Sequence, residues 1–164
     1  MKSSSLWQRP HLMVGAVVWC ALALALAGCG RSLHIDEPNP AVADAEACQT
    51  LISGLPDTLG DHDRREVKSR YVAAYGDPAV IIRCGVTEPV EFGPLSSCQR
   101  INGVDWFVPD NQIADAEATL VATTVGRTPQ VELTIPPAHR PPDAELVDLS
   151  NAIKSQTRSD KPCV

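Results

Sequence analysis

The sequence is poor in aromatic residues and lacks the short motifs that mark the best-known enzyme classes. Phe, Tyr and Trp together make up 4% of its 164 residues. It contains no H-E-x-x-H zinc motif, no Walker loop, no Gly-rich dinucleotide fingerprint and no G-x-S-x-G nucleophile elbow. These absences exclude the familiar signatures of zinc proteases, nucleotide-binding enzymes and α/β-hydrolases, and no cofactor or metal is predicted.

Basic residues are also scarce, and they form no cluster. The chain has 14 Lys and Arg against 20 Asp and Glu, for a net charge of −6. A protein that binds nucleic acid or anionic lipid headgroups usually carries a basic patch. The scattered acids are typical of a solvated surface, so no nucleic-acid partner is expected.

The first 28 residues have the layout of a bacterial export signal. Residues 1–11 carry Lys2 and Arg9 and no acid, and residues 12–28 are an uncharged run rich in Ala, Leu and Val. The run ends in Leu26-Ala27-Gly28-Cys29, which resembles the lipobox of bacterial lipoproteins. That resemblance implies cleavage of the signal peptide before Cys29 and attachment of lipid, including palmitate, to this residue.

A lipid on Cys29 would anchor the exported chain at the extracytoplasmic face of the cell membrane, because two or more acyl chains hold stably. Two alternatives stay open. Residues 12–30 carry no charge and are just long enough for an uncleaved transmembrane anchor. The chain could also have an ordinary signal peptide whose lipobox arose by chance.

The exported part of the chain is long enough for one domain. Removing 28 of the 164 residues leaves 136, and the net charge becomes −8 because Lys2 and Arg9 are lost while every acid stays. Residues 29–43 contain Pro38 and Pro40 without periodicity, which predicts a flexible tether after Cys29. The folded domain is expected over residues 44–164.

Four cysteines remain besides Cys29, and an even number in an exported chain predicts two disulfides. They are Cys48, Cys84, Cys98 and Cys163, which allow three pairings. A metal site or a redox motif is the alternative, but both favour close C-x-x-C pairs, and the sequence has none.

The hydrophobic pattern predicts an α+β fold in a single small domain. Helical spacing of Cys48, Leu51 and Ile52 indicates an N-terminal helix, and Pro141-Pro142-Asp143 opens a C-terminal one. Loops are expected over 57–65 and 85–100. Four to five mostly antiparallel strands, covered by the two helices, are expected at 66–75, 79–84, 104–108, 119–125 and 130–135.

The same pattern favours one pairing of the cysteines. If Ile82 and Cys84 face inward from their strand, Arg83 points outward, as its charge requires. Cys48 lies on the inward stripe of the first helix. A Cys48–Cys84 bridge would then join helix to sheet, which leaves Cys98–Cys163 to tie the C-terminal tail to a loop.

Several segments resemble a known family. They are residues 48–59 (CQTLISGLPDTL), 75–86 (YGDPAVIIRCGV), 102–106 (NGVDW) and 123–136 (TTVGRTPQVELTIP). Together they are similar to domain of unknown function 3515, a family of actinobacterial exported proteins and lipoproteins, over residues 45 to 154. The resemblance implies an exported, intact fold and transfers no catalytic residue.

Two histidines are candidates for acid–base chemistry. His62, within Asp61-His62-Asp63, could bind a metal or transfer protons, although a solvated loop is the simpler interpretation. His139 could serve a catalytic triad, but Ser96, Ser97 and Ser150 lie in no nucleophile motif. His139 is otherwise a surface loop residue.

Trp106 and Phe107 are the candidate partner-binding residues. Adjacent residues in a strand face opposite ways, so one ring should be in the core and the other free to anchor a partner, unless a second layer covers it. Arg83 and Arg127 could orient an anionic ligand, or they could simply form surface salt bridges.

Three functions fit these patterns. The first is a non-enzymatic lipoprotein that binds an envelope protein or a cell-wall component. The second is a small exported hydrolase that uses His62 or His139. The third is an accessory subunit that stabilises a membrane complex. The absence of catalytic motifs favours the first and the third.

Overall fold

The computed structural model describes Leu33 and residues 35–163. The predicted signal peptide and Cys29 lie outside the described residues. Within the described part of the chain, no helix has the length and apolar character needed to cross a bilayer.

An antiparallel sheet of eight strands forms the centre of the domain. Its strand order is β1-β2-β3-β4-β9-β7-β6-β5, so β4 and β9 are neighbours in the middle. Two further strands, β8 and β10, pair with each other apart from the sheet. The strands are β1 (Thr58–Leu59), β2 (His62–Arg65), β3 (Val72–Tyr75), β4 (Val80–Cys84), β5 (Gln99–Ile101), β6 (Val104–Phe107), β7 (Leu120–Thr124), β8 (Arg127–Thr128), β9 (Val131–Ile135) and β10 (Arg158–Ser159).

The first helix of the domain and the last one contact each other, and together they cover one face of this sheet. Helix α1 (Ala45–Ser53) buries Cys48, Leu51 and Ile52, the stripe that the helical spacing predicts. The other helices of the described region are α2 (Asp110–Ala114), α3 (Asp143–Gln156) and a 3₁₀ turn (Pro137–His139).

The core lies between the helices and the central strands. In β4 the side chains of Val80, Ile82 and Cys84 are fully buried and alternate with half-buried residues. Strand β9 has the same alternation, and Ile82 pairs with Leu133 across the two strands. In β4 and β9, one face of the strand therefore packs on the helices and the other face does not, which is the reason for the alternating burial.

Both disulfides join the cysteines that the hydrophobic pattern pairs. Cys48 in α1 is bonded to Cys84 in β4, with a Cα–Cα distance of 5.3 Å. Cys98, just before β5, is bonded to Cys163 in the C-terminal tail. The first bridge lies in the core, while the second ties down the end of the chain.

The α+β class is confirmed, but the sheet has more strands than the four to five expected. Strand β2 lies within the predicted loop 57–65, and β5 lies at the end of the predicted loop 85–100. Both are short and polar, so they lack an alternating hydrophobic signal. Arg64 of β2 shows why such a strand is stable here: its guanidinium donates to the carbonyls of Ile52 and Leu55 at the end of α1, both at 2.7 Å.

The last part of the predicted tether packs on the domain. The Glu37 carboxylate accepts a hydrogen bond of 2.6 Å from the Ser69 hydroxyl. Pro40 lies directly over Gly85, where a Cβ atom would collide with the proline ring. Gly85 also has a φ of +87°, which other residues adopt only at a cost. Residues 37–43 are therefore part of the folded unit.

We expect Gly85→Ala to destabilise the domain by about 1–3 kcal/mol, since it forces a strained φ and displaces Pro40. Urea unfolding followed by Trp106 fluorescence measures this change in the free energy of unfolding. Gly93→Ala is the matched control, because Gly93 has an ordinary φ and open space where a Cβ would lie. Equal stability of the two variants would contradict the packing of Pro40 on Gly85.

Candidate functional site

The fold brings His62 and His139 together beside a buried glutamate. Strand β2 presents His62, the 3₁₀ turn presents His139, and the first turn of α3 presents Glu145. The two imidazole rings are 4.0 Å apart between centroids and tilted by 52°. His62 Nε2 lies 3.3 Å from Glu145 Oε1.

Glu145 is the buried member of this cluster, whereas His62 and His139 are partly exposed. Glu145 is 4% exposed, and its Oε2 atom has no hydrogen-bond partner among the described residues. Two glycines leave space for these side chains. A Cβ at Gly60 would lie 3.0 Å from Glu145 Oε1, and a Cβ at Gly76 would lie 3.2 Å from the His62 ring. The side chains therefore occupy a small pocket between two turns and the start of α3.

A carboxylate that holds an imidazole supplies two of the three members of a catalytic triad, but the nucleophile is missing from the described residues. The Ser150 hydroxyl is 2.6 Å from the carbonyl of Leu146 and contacts neither ring. All four cysteines of the described region are in disulfides. The Nε2 atom of His139 donates to the carbonyl of Pro78 at 2.8 Å.

The two aspartates next to His62 do not join it. Asp61 and Asp63 are exposed, and Asp63 is paired with Thr58 of β1. Within residues 35–163, no three His, Cys, Asp or Glu side chains are arranged to hold a metal ion. Sequence reasoning missed Glu145 because its partner is 83 positions away in the chain and no local pattern links the two.

A second candidate site is a cleft on the open face of the sheet. It has a volume of about 740 Å³ and lies between the strands and the loop after β4. Its floor contains Arg83, which donates from Nε to Glu132 Oε1 at 2.9 Å, together with the outward side chains of Val121 and Thr123. Thr87 and Glu88 form part of its rim.

A neighbouring cleft of about 610 Å³ lies on the other side of the same loop. The two share Asn39 and residues 85–88, so the packed tether and this loop separate them. Arg127 lines the second cleft and donates to the carbonyl and the hydroxyl of Thr157 at 3.3 and 3.1 Å. Both candidate arginines, Arg83 and Arg127, therefore already have protein partners.

Neither Trp106 nor Phe107 is available as a surface anchor. They face opposite sides of β6, as expected, but Trp106 is fully buried under the helices. Phe107 is 6% exposed because Phe92 covers it, with an edge-to-face ring distance of 5.3 Å. The loop that carries Phe92 supplies the second layer that the sequence pattern left open as an alternative.

Asp105 connects three parts of the chain near the second disulfide. Its carboxylate accepts bonds of 2.6 and 2.8 Å from Arg100 and a bond of 3.0 Å from the backbone N–H of Cys163. The hydrogen bonds from Arg100, assisted by the N–H of Cys163, hold the pKa of Asp105 below its usual value. This carboxylate therefore helps to hold the C-terminal tail against β6.

We expect Asp105→Asn to lower the free energy of unfolding by about 1–3 kcal/mol at neutral pH. The pKa of Asp105 is lower in the folded state than in the unfolded state. Its stabilisation is therefore complete above the unfolded value, near 4, and is lost as pH falls through the folded value. Urea unfolding from pH 7 down to pH 3 should show the two proteins converging. Asp110→Asn is an exposed control, and a pH-independent gap between Asp105→Asn and the parent would contradict the assignment.

The similarity searches agree with the family resemblance and add no function. No curated protein and no solved structure matches this chain. One family model, described as a protein of unknown function (DUF3515), matches residues 10–162, which is most of the chain. The match extends the resemblance seen over residues 45 to 154 at both ends, and it shows that the chain belongs to the DUF3515 family.

Proposed function

We propose that this protein is a lipoprotein anchored through Cys29 at the extracytoplasmic face of the cell membrane, and that its domain binds an envelope protein or a cell-wall component without catalysis. The observation that carries the binding role is the open-face cleft of about 740 Å³. Concave surfaces of this size with mixed polar and apolar walls are the usual places for ligands.

The disulfides support the proposed compartment. Bonds between thiols persist in oxidising environments outside the cytoplasm and are rare within it. The two bridges, Cys48–Cys84 and Cys98–Cys163, use every cysteine of the described region. This leaves Cys29, after the signal-like segment, as the cysteine that would receive lipid.

The lining of the cleft suits binding better than chemistry. Its two central charges, Arg83 and Glu132, neutralise each other, so neither of these two groups is free to act as an acid or a base on a bound molecule. Glu88 and Glu91 on the rim make the entrance acidic. The cleft therefore fits a neutral or cationic peptide or glycan better than an anion.

The hydrolase is the second candidate, and the cluster of His62, His139 and Glu145 favours it. A buried carboxylate next to an imidazole can orient it as a general base. With no nucleophile in the cluster, such an enzyme would have to activate water directly. The histidine cluster and the cleft involve different residues, so they can be tested separately.

Detergent phase partition tests the anchor. The parent protein should enter the detergent phase with the mass of a chain that begins at an acylated Cys29, whereas Cys29→Ala should carry no acyl chain. Cys20→Ala is the matched control, since Cys20 lies inside the predicted signal peptide and its loss should change nothing. A parent protein that enters the detergent phase, keeps residues 1–28 and carries no acyl chain would instead favour an uncleaved helical anchor.

Photo-crosslinking in intact cells tests the cleft. A photoreactive amino acid at Thr87, on the rim shared by both clefts, should give a reproducible crosslinked partner. The same group at Val147, an exposed position on α3, is the control and should give none. A product at both positions or at neither would contradict binding in the cleft.

The same cells can separate binding from hydrolysis. The double variant His62→Gln, His139→Gln should keep both the crosslink at Thr87 and the cellular phenotype of the parent. If the variant folds, keeps the crosslink and loses the phenotype, the hydrolase becomes the better proposal.

A further inference from the structure

A row of four paired residues crosses the open face of the sheet and forms the floor of the larger cleft. Glu132 of β9 pairs with Arg83 of β4 on one side and with Thr123 of β7 on the other. Thr123 in turn pairs with Phe107 of β6. Paired residues of neighbouring strands share a face, and all four of these residues line the cleft. Glu132 therefore lies inside the floor, with a base on one side and a hydroxyl on the other.

The hydrogen bonds of Glu132 fall on one of its two carboxylate oxygens. Its Oε1 atom accepts from Arg83 Nε at 2.9 Å, from a second nitrogen of Arg83 and from the Thr134 hydroxyl at 3.4 Å. Its Oε2 atom accepts no hydrogen bond from the described residues, and the side chain is 13% exposed. Each carboxylate oxygen has lone pairs for about two hydrogen bonds. Glu132 can therefore still accept a donor from a molecule in the cleft.

The surroundings of this carboxylate are partly apolar and negatively charged. Val121 lies two residues before Thr123 on β7, so it faces the same way and also lines the cleft. Among the described residues of the lining, Arg83 is the single base, whereas Glu88, Glu91 and Glu132 are acids. Because a concave surface lined by one sign of charge concentrates its field, the cleft attracts cations.

We propose that the cleft binds the lysine-type side chain of a peptide, with the ammonium group on Glu132 Oε2 and the aliphatic stem against Val121. This inference deepens the proposed binding role and rests on it. A primary ammonium is a compact cation with three donors at the end of a flexible apolar stem. It matches both the open carboxylate oxygen and the apolar side chain of the floor. An uncharged glycan would leave the negative potential of the cleft without a counter-charge.

Binding of two matched peptides tests this assignment. Full-length lipidated protein in non-ionic detergent micelles is titrated with acetyl-Gly-Lys-Gly-amide and with the same peptide acetylated on the lysine Nζ. Nitrogen-15 NMR measures the Kd and identifies the backbone amides that shift. The charged peptide should bind about tenfold more tightly, because acetylation removes a charge-assisted hydrogen bond to the carboxylate. The amides of Thr123 and Glu132 should be among those that shift.

Variants of the ion pair should change the affinity for the charged peptide in opposite directions. Glu132→Gln should lower it by about tenfold, since the acceptor is lost and Arg83 is left without its partner. Arg83→Gln should raise it, because both oxygens of Glu132 then become available. Asp143→Asn is the control: it removes an exposed acid on α3, on the helix-covered side of the sheet, and should bind like the parent.

The double variant Arg83→Gln, Glu132→Gln keeps the test valid if a single variant fails to fold, because it leaves neither charge unpaired. It should lose most of the preference for the charged peptide. Equal affinity of the parent for the two peptides, or parent-like selectivity in the folded double variant, would overturn the assignment. If the crosslink at Thr87 persists in that case, the proposed binding role stands with an uncharged ligand. If the crosslink is absent as well, the proposed function fails with it.

Discussion

Cys48 and Cys84 are fully buried, and their disulfide joins helix α1 to strand β4 in the middle of the sheet. The covalent link restricts the unfolded chain, which stabilises the fold by about 2–4 kcal/mol. It also sets the position of α1, against which α3 packs to complete the helical layer. Gly85 follows Cys84 directly, so the same bridge places the glycine over which Pro40 lies.

The two ends of the sheet carry different kinds of residues. The cluster of His62, His139 and Glu145 lies beside the turn between β3 and β4, and one carboxylate oxygen of Glu145 has no hydrogen-bond partner among the described residues. The opposite end carries the packed residues 37–43 and the loop residues 85–88 that both clefts share. The cleft on the open sheet face lies apart from this cluster, because the two share no residue.

Much of the fold could be predicted because its central elements bury one face. Alternating side chains in β4 and β9 and the helical stripe of α1 each produce a periodic signal, and the inward positions of Cys48 and Cys84 follow from that signal. The edge strands could not be predicted in this way. Strand β2 is stable through backbone pairing and through the bonds that Arg64 makes to the end of α1, and neither depends on a hydrophobic pattern.

The candidate sites, too, could be predicted only in part from the sequence. His62 and His139 stood out as residue types, but their contact depends on how the turn after β9 folds back on β2. Glu145 reads as an ordinary first-turn acid of a helix, although packing makes it a buried partner of His62. Phe107 had the alternation of an outward-facing residue, and only the position of Phe92 shows that it is covered.

The amino-acid sequence by itself determined the α+β class, the helix–sheet pairing of Cys48 with Cys84 and the family resemblance, because each depends on local periodicity or on residue identity. Only the tertiary structure decided the number of strands, the packing of residues 37–43 and the meeting of His62 with Glu145. These features come from contacts between segments far apart in the chain. Such contacts depend on how the whole core packs, so they cannot be predicted from a local sequence pattern.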